Sequence, residues 1–212
     1  LTAWVRLPTL NNSVDRTFYL YCGNTAISAR QDTPATVWDS NFAAVYHLPD
    51  GTTLSALDST SSTNHGTKAP SGVTATAGMA DGGANITYTS DAIKVNSSTS
   101  LNITGPLTLE LWANLAGWPH DYQSKSLLGK KYQNSSLASY NLYIRSDSGQ
   151  TPAAYVGTTV GGVKTVASTS VSSLASNTWH HYTGTFDGTA WRIYIDGVLL
   201  NTLNSSTGPQ ST

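Results

Sequence analysis

The chain is poor in cysteine, methionine, glutamate and charge: one Cys, one Met and one Glu in 212 residues, with Asp, Glu, Lys and Arg together only 11%. A lone Cys22 forms no intrachain disulfide, so the fold must be held by burial and backbone pairing. In Thr17-Phe-Tyr-Leu-Tyr-Cys22, the side chains of Phe18, Leu20 and Cys22 share one face of an extended segment. Cys22 is therefore expected as a small buried hydrophobe in a strand, not as a reactive thiol. Lys and Arg number 11 against 12 Asp and Glu, a formal net charge of −1. Without a basic stripe to neutralise phosphates, nucleic acid is excluded as a partner. No apolar run approaches about 18 residues, so membrane insertion of a helix is not expected. The histidines are too scattered for a zinc set.

What the chain does have is alternation. Trp179-His-His-Tyr-Thr-Gly-Thr-Phe-Asp-Gly188 and Trp191-Arg-Ile-Tyr-Ile-Asp-Gly197 place an Asp-Gly after each of two runs rich in β-branched and aromatic residues. Each Asp-Gly reads as a hairpin turn, giving a three-stranded meander over residues 179–186, 191–195 and 198–202. Leu107, Leu109, Leu111, Ala113 and Leu115 alternate with Thr108, Glu110, Trp112 and Asn114, which sets one apolar face inward. Residues 140–144, 153–156 and 163–168 read as further strands separated by Gly and Ser turns, while 170–176 reads as a short turn at most. The expected class is all-β, a two-sheet antiparallel sandwich.

Several of these segments resemble one family. The 179–197 stretch resembles the "W-x-H-V-A-x-T-Y-D-G … L-Y-V-D-G" signature of laminin-G-like, concanavalin A-like jelly rolls, with Tyr182, Thr183 and Phe186 at the variable places. Upstream, Ala44-Val-Tyr-His-Leu-Pro-Asp50, Leu57-Asp-Ser-Thr-Ser-Ser-Thr-Asn-His-Gly66, Ser100-Leu-Asn-Ile-Thr-Gly-Pro-Leu-Thr-Leu-Glu-Leu-Trp112 and Ser126-Leu-Leu-Gly-Lys130 resemble its other motifs in order. The resemblance spans residues 43–201 and implies a jelly-roll domain over 41–212. In the family a further strand resembling "I-D-E-V-R-I-Y" follows the second Asp-Gly. The resemblance therefore implies a sandwich lacking its final strand, with the gap filled by absent residues of the same protein or by a strand donated from another subunit. Residues 1–40 resemble the tail of a domain of unknown function that precedes such modules, with strands expected at 4–8 and 16–22.

Candidate sites follow from chemistry and from the resemblance. Hydrolysis of glycans needs two carboxyl groups flanking the bond, yet Glu110 has Thr108 and Trp112 as its same-face neighbours. Glu110 thus reads as a solvated strand residue, and the module as non-catalytic. Sugar binding uses aromatic faces with polar groups fixing hydroxyls. The loop Gly117-Trp-Pro-His-Asp-Tyr122 brings Trp118, His120, Asp121 and Tyr122 into one turn-prone segment, and Trp179 and His181 share one face of their strand. Trp112 and Trp191 read as core or sheet-face packing. By resemblance, Asp58, Asn64 and Asp91 are the calcium candidates, the alternative being a turn capped by Asp58 itself. The expected function is a recognition or adhesion module at an extracellular, cell or virion surface, its partners glycans or neighbouring subunits. A structural building block is the alternative, and a polysaccharide hydrolase ranks last.

Overall fold

The computed structural model describes residues 3–7, 9–28, 33–49, 53–69, 72–80, 82–88, 90–131 and 137–211. They form two compact units, Leu1–Asn96 and Ser97–Thr212. Residues 41–96, which motif order attaches to the jelly roll, lie in the first unit.

In the first unit, a one-turn helix α1 (Pro34–Val37) is followed by two antiparallel pairs. β1 (Gly66–Ala69) pairs with β4 (Ala92–Val95), and β2 (Thr74–Ala77) pairs with β3 (Gly82–Asn85). Trp4 stacks on His47 with ring centroids 4.9 Å apart, and Trp38 meets Phe42 edge-on at 4.9 Å. The strands expected at 4–8 and 16–22 do not form among the described residues, where a single bridge joins Asn11 to Val14; Pro8 lies outside them. Cys22 is exposed, as are Phe18 and Leu20, which corrects the expectation of burial. A period-2 pattern buries a face only when another layer covers it, and no described residue covers this one. The segment resembling an opening strand contributes one bridge, Tyr46 to Asp58; Asp50 lies outside the described residues.

The second unit is the sandwich. One sheet has the order β12 (Val198–Asn204), β11 (Ala190–Ile195), β10 (Trp179–Phe186), β5 (Leu107–Asn114). The other runs β6 (Ser124–Lys131), β7 (Ala138–Arg145), β8 (Ala153–Val160), β9 (Val163–Ser170). Every pairing is antiparallel, and the meander sits where the two Asp-Gly turns place it. Inward residues of both sheets share one core. Leu109, Tyr182, Trp191, Ile193 and Ile195 come from the first sheet, and Leu142, Ile144, Ala154, Val156 and Ala167 from the second. The sheets approach closely at Gly184, where an added methyl would overlap Val156. Only glycine permits that contact.

The C-terminal residues 205–211 do not form a strand, but they close one end of this core. Trp191 Nε1 donates to the Thr207 carbonyl at 2.9 Å, Gly208 lies against the Phe186 ring, and Ser139 Oγ donates to the Gln210 carbonyl at 2.6 Å. These residues cover Trp191 and Phe186 at this end of the core. Among the described residues β12 and β5 remain edge strands, each paired on one side. Val198, Leu199 and Leu200 of β12 are exposed, with a register shift opposite Ile193 and Tyr194.

Burial also shapes titration. It pushes the Tyr140, Tyr143 and Tyr182 hydroxyls up from 10.0 to about 12. A proton held more tightly when folded adds stability that is fully present below the unfolded value and lost as pH rises through the folded one. Stability is therefore expected to hold up to about pH 10 and to fall towards pH 12. The Tyr182 hydroxyl is in addition buried without a hydrogen-bond partner among the described residues. An orphaned buried hydroxyl costs about 1–3 kcal/mol, so Tyr182→Phe should raise the melting temperature by a few degrees (about 2–4 °C per kcal/mol for a chain of this size). The same variant should flatten the alkaline loss. Melting scans across pH read both effects, and a lower melting temperature in Tyr182→Phe would show that the hydroxyl has a partner.

Candidate ligand-binding face

The outward face of the first sheet collects its chemistry by register. His181 on β10 lies opposite Trp112 on β5, Thr183 opposite Glu110, and Thr185 opposite Thr108. On β11, Tyr194 lies opposite Thr183 and Arg192 opposite Thr185. Because cross-strand partners point to the same side, these residues form rows across three strands. Inward burial of Leu107, Leu109, Tyr182, Phe186, Ile193 and Ile195 forces them outward.

Within the rows, the Trp112 and His181 rings are 5.1 Å apart and tilted by 42°. His181 Nε2 lies 3.9 Å from Glu110 Oε2, and its Nδ1 lies 3.4 Å from Thr183 Oγ1. Trp112 is 43% exposed, a large area for a tryptophan in the middle of a ladder. Trp179 opens β10 opposite Asn114 and is half-buried. At one end of the face, Arg192 pairs with Asp187; that contact and the hydrogen bonds from Thr189 and Ala190 hold the Asp187 carboxyl well below the usual range.

The neighbouring His180 points inward and pins the β11–β12 turn. Its Nδ1 lies 2.7 Å from Asp196 Oδ2 and its Nε2 3.3 Å from the Ala175 carbonyl, while the His181 backbone N–H donates to Asp196 Oδ1 at 2.9 Å. Burial acts to raise the Asp196 carboxyl, but the hydrogen bonds from His180 and His181 outweigh it and hold the group low. Adjacent histidines thus have opposite jobs, one fixing the turn and one facing solvent.

The loop expected to form a binding rim is split. Trp118 packs against the core, and Pro119 after it is buried. His120, Asp121 and Tyr122 are exposed. Gln123 N–H donates to the His120 carbonyl at 2.8 Å, Asp121 accepts from Gly149 N–H at 3.2 Å, and Tyr122 takes a left-handed φ of 57°. Three of the four loop residues remain available to a ligand. Glu110 and Trp112, read from sequence as a solvated strand residue and as packing, stand beside His181 on the open face. The signal for them was the alternation itself, since residues opposite an apolar stripe must face out.

The calcium candidates form a turn. Asp58 Oδ1 accepts from the Val45 and Thr60 N–H groups, both at 2.9 Å, and Oδ2 accepts from Thr60 Oγ1 and Asn64 N–H, both at 2.8 Å. Asn64 Nδ2 donates to the Ala43 carbonyl at 2.8 Å. Asp91 makes its hydrogen bond elsewhere, from Tyr88 N–H at 3.1 Å, and its carboxylate sits against Gly72. Four protein donors engage the Asp58 carboxylate, which has about four lone-pair directions in all. A calcium ion needs several oxygens left open to it, so this donor set fits a self-satisfied turn and not the ion. No group of three or more His, Cys, Asp or Glu gathers among the described residues.

Residues 87–212 match the laminin-G family model described as the concanavalin A-like lectin/glucanases superfamily. That span is more than half of the chain, and the chain belongs to this family. The motifs at 44–50 and 57–66 lie before the matched span. No curated protein matches the chain. Family membership supports a binding module in general, for carbohydrate or protein, in a family whose members are typically non-catalytic.

Proposed function

We propose that this chain is a non-catalytic recognition module that binds glycans on the outward face of β5, β10 and β11, displayed at an extracellular, cell or virion surface. The observation that carries the reading is the solvent-open Trp112 beside His181, with Glu110 and Thr183 within reach of the same imidazole. An aromatic platform bordered by hydrogen-bonding groups is what a pyranose ring requires. Glu110 is the chain's single glutamate and has no carboxylate partner in these rows, which argues against hydrolysis. A reducing-sugar assay on laminarin, agarose and carrageenan tests that part, and released ends would reverse it.

A glycan array followed by titration calorimetry tests the binding. Trp112→Ala is expected to weaken the best ligand about tenfold or more while the melting temperature stays near that of the parent, because the ring is exposed. Silence of the folded chain on every glycan, or unchanged affinity in Trp112→Ala, would remove this site. A second reading, a building block contacting neighbouring subunits, draws on the exposed Val198, Leu199 and Leu200 at the β12 edge. An ordered native assembly with the Trp112 face buried would favour it.

A further inference from the structure

We propose that the face holds a linear, neutral oligosaccharide laid across the strands, with Trp112 and Tyr194 under separate sugar rings. This rests on the glycan reading above and specifies its ligand. Tyr194 lies two strands from Trp112 and one row along, as the pairing of Trp112 with His181 and of Tyr194 with Thr183 requires. With strands about 4.8 Å apart and about 3.4 Å per residue, the two positions are roughly 12 Å from each other. A single pyranose does not reach both.

Between them lie Thr183 and His181, groups suited to the hydroxyls of an intervening ring. The row through Tyr194 continues to Leu199 on β12, which is exposed, and on the other side it ends at Glu110 on the edge strand β5. Among the described residues no further strand of this sheet pairs beyond β5 or β12, so the sheet itself walls neither end of that row. Such a face favours internal segments of a polymer over its ends.

Charge selects further. Glu110 is acidic and largely exposed, with His181 Nε2 3.9 Å away, and the guanidinium on the face, that of Arg192, is already paired with Asp187. A uronic or sulfated chain would bring like charge to Glu110 with no free guanidinium to offset it. A neutral chain meets no such penalty.

The test is calorimetry of the whole 212-residue chain against neutral cello-, laminari- and manno-oligosaccharides of increasing length, with polygalacturonate as the anionic control. Affinity should rise about tenfold or more from monosaccharide to tetrasaccharide in at least one series. Tyr194→Ala should remove that gain, whereas Tyr194→Phe should retain it. The conservative variant keeps the test decisive if the alanine variant does not fold. Length-independent binding would overturn the extended mode and leave glycan recognition standing. Tighter binding of polygalacturonate would overturn the preference for neutral chains. Silence across all series would overturn the underlying glycan reading.

Discussion

Replacing Trp191 with alanine is expected to cost about 3–5 kcal/mol, the range for deleting a fully buried aromatic ring. Trp191 has no exposed surface, stacks on Phe186 with centroids 4.7 Å apart, and is packed into the core shared by both sheets. Its indole N–H is also the tether of the C-terminal segment through Thr207. The alanine variant therefore opens a cavity and releases residues 205–211 from the end of the sandwich. Set against a typical domain stability of about 5–15 kcal/mol, this single change removes a large share of the total. Urea unfolding measures the loss, and limited proteolysis should show new cleavage within 205–211. Trp191→Phe separates the two effects: it keeps most of the ring, leaves the Thr207 carbonyl unpaired, and should cost only about 1–2 kcal/mol. A loss under about 1 kcal/mol in Trp191→Ala would mean that the C-terminal segment and the sheets do not depend on this ring.

The second large effect is expected at Asp58. Asp58 is 6% exposed, and its carboxylate accepts four hydrogen bonds, three of them from backbone N–H groups of Val45, Thr60 and Asn64. Asp58→Ala strands these donors in a site that water reaches poorly. At about 1–3 kcal/mol for each unsatisfied buried group, with partial relaxation, a loss of about 3 kcal/mol or more follows. Chelator should leave the melting temperature of the parent chain unchanged, since the donors that organise the carboxylate belong to the protein. An ion bound only to the folded state would add about 2–4 kcal/mol at saturation. A melting temperature lowered by chelator and restored by calcium would therefore assign the turn to a cation, and an undisturbed Asp58→Ala would show that the turn is dispensable.

Much of the sandwich could be read in the chain because its information is local. The Asp187-Gly188 and Asp196-Gly197 pairs fix two hairpins, and the strand 179–186 emerges with the bounds its alternation suggested. The 107–115 alternation likewise assigns Leu109 to the core, whereas Trp112, read as packing, is exposed. Reading failed where burial needs a second layer. Phe18, Leu20 and Cys22 carry a strand pattern as regular as that of β5, yet they are exposed because no described residue packs over them. Trp118 looked like a rim residue in a polar loop, but its ring packs on the core. A loop residue's direction depends on what lies beneath the loop, and a one-dimensional pattern does not record that.

By itself the sequence determined the class of fold, the meander and the inward side of β5, because period-2 alternation and turn chemistry act over a few residues. Only the tertiary structure decided which outward residues meet. Trp112 and His181 are 69 positions apart in the chain, and their 5.1 Å approach comes from the register of β5 against β10. That register is set by the packing of the two inner faces against each other, since a slip of one residue would turn every buried side chain to solvent. The same holds for the Asp58 turn: its Asp and Asn are visible in the sequence, but the donors that fill the carboxylate arrive from residues as distant as Val45.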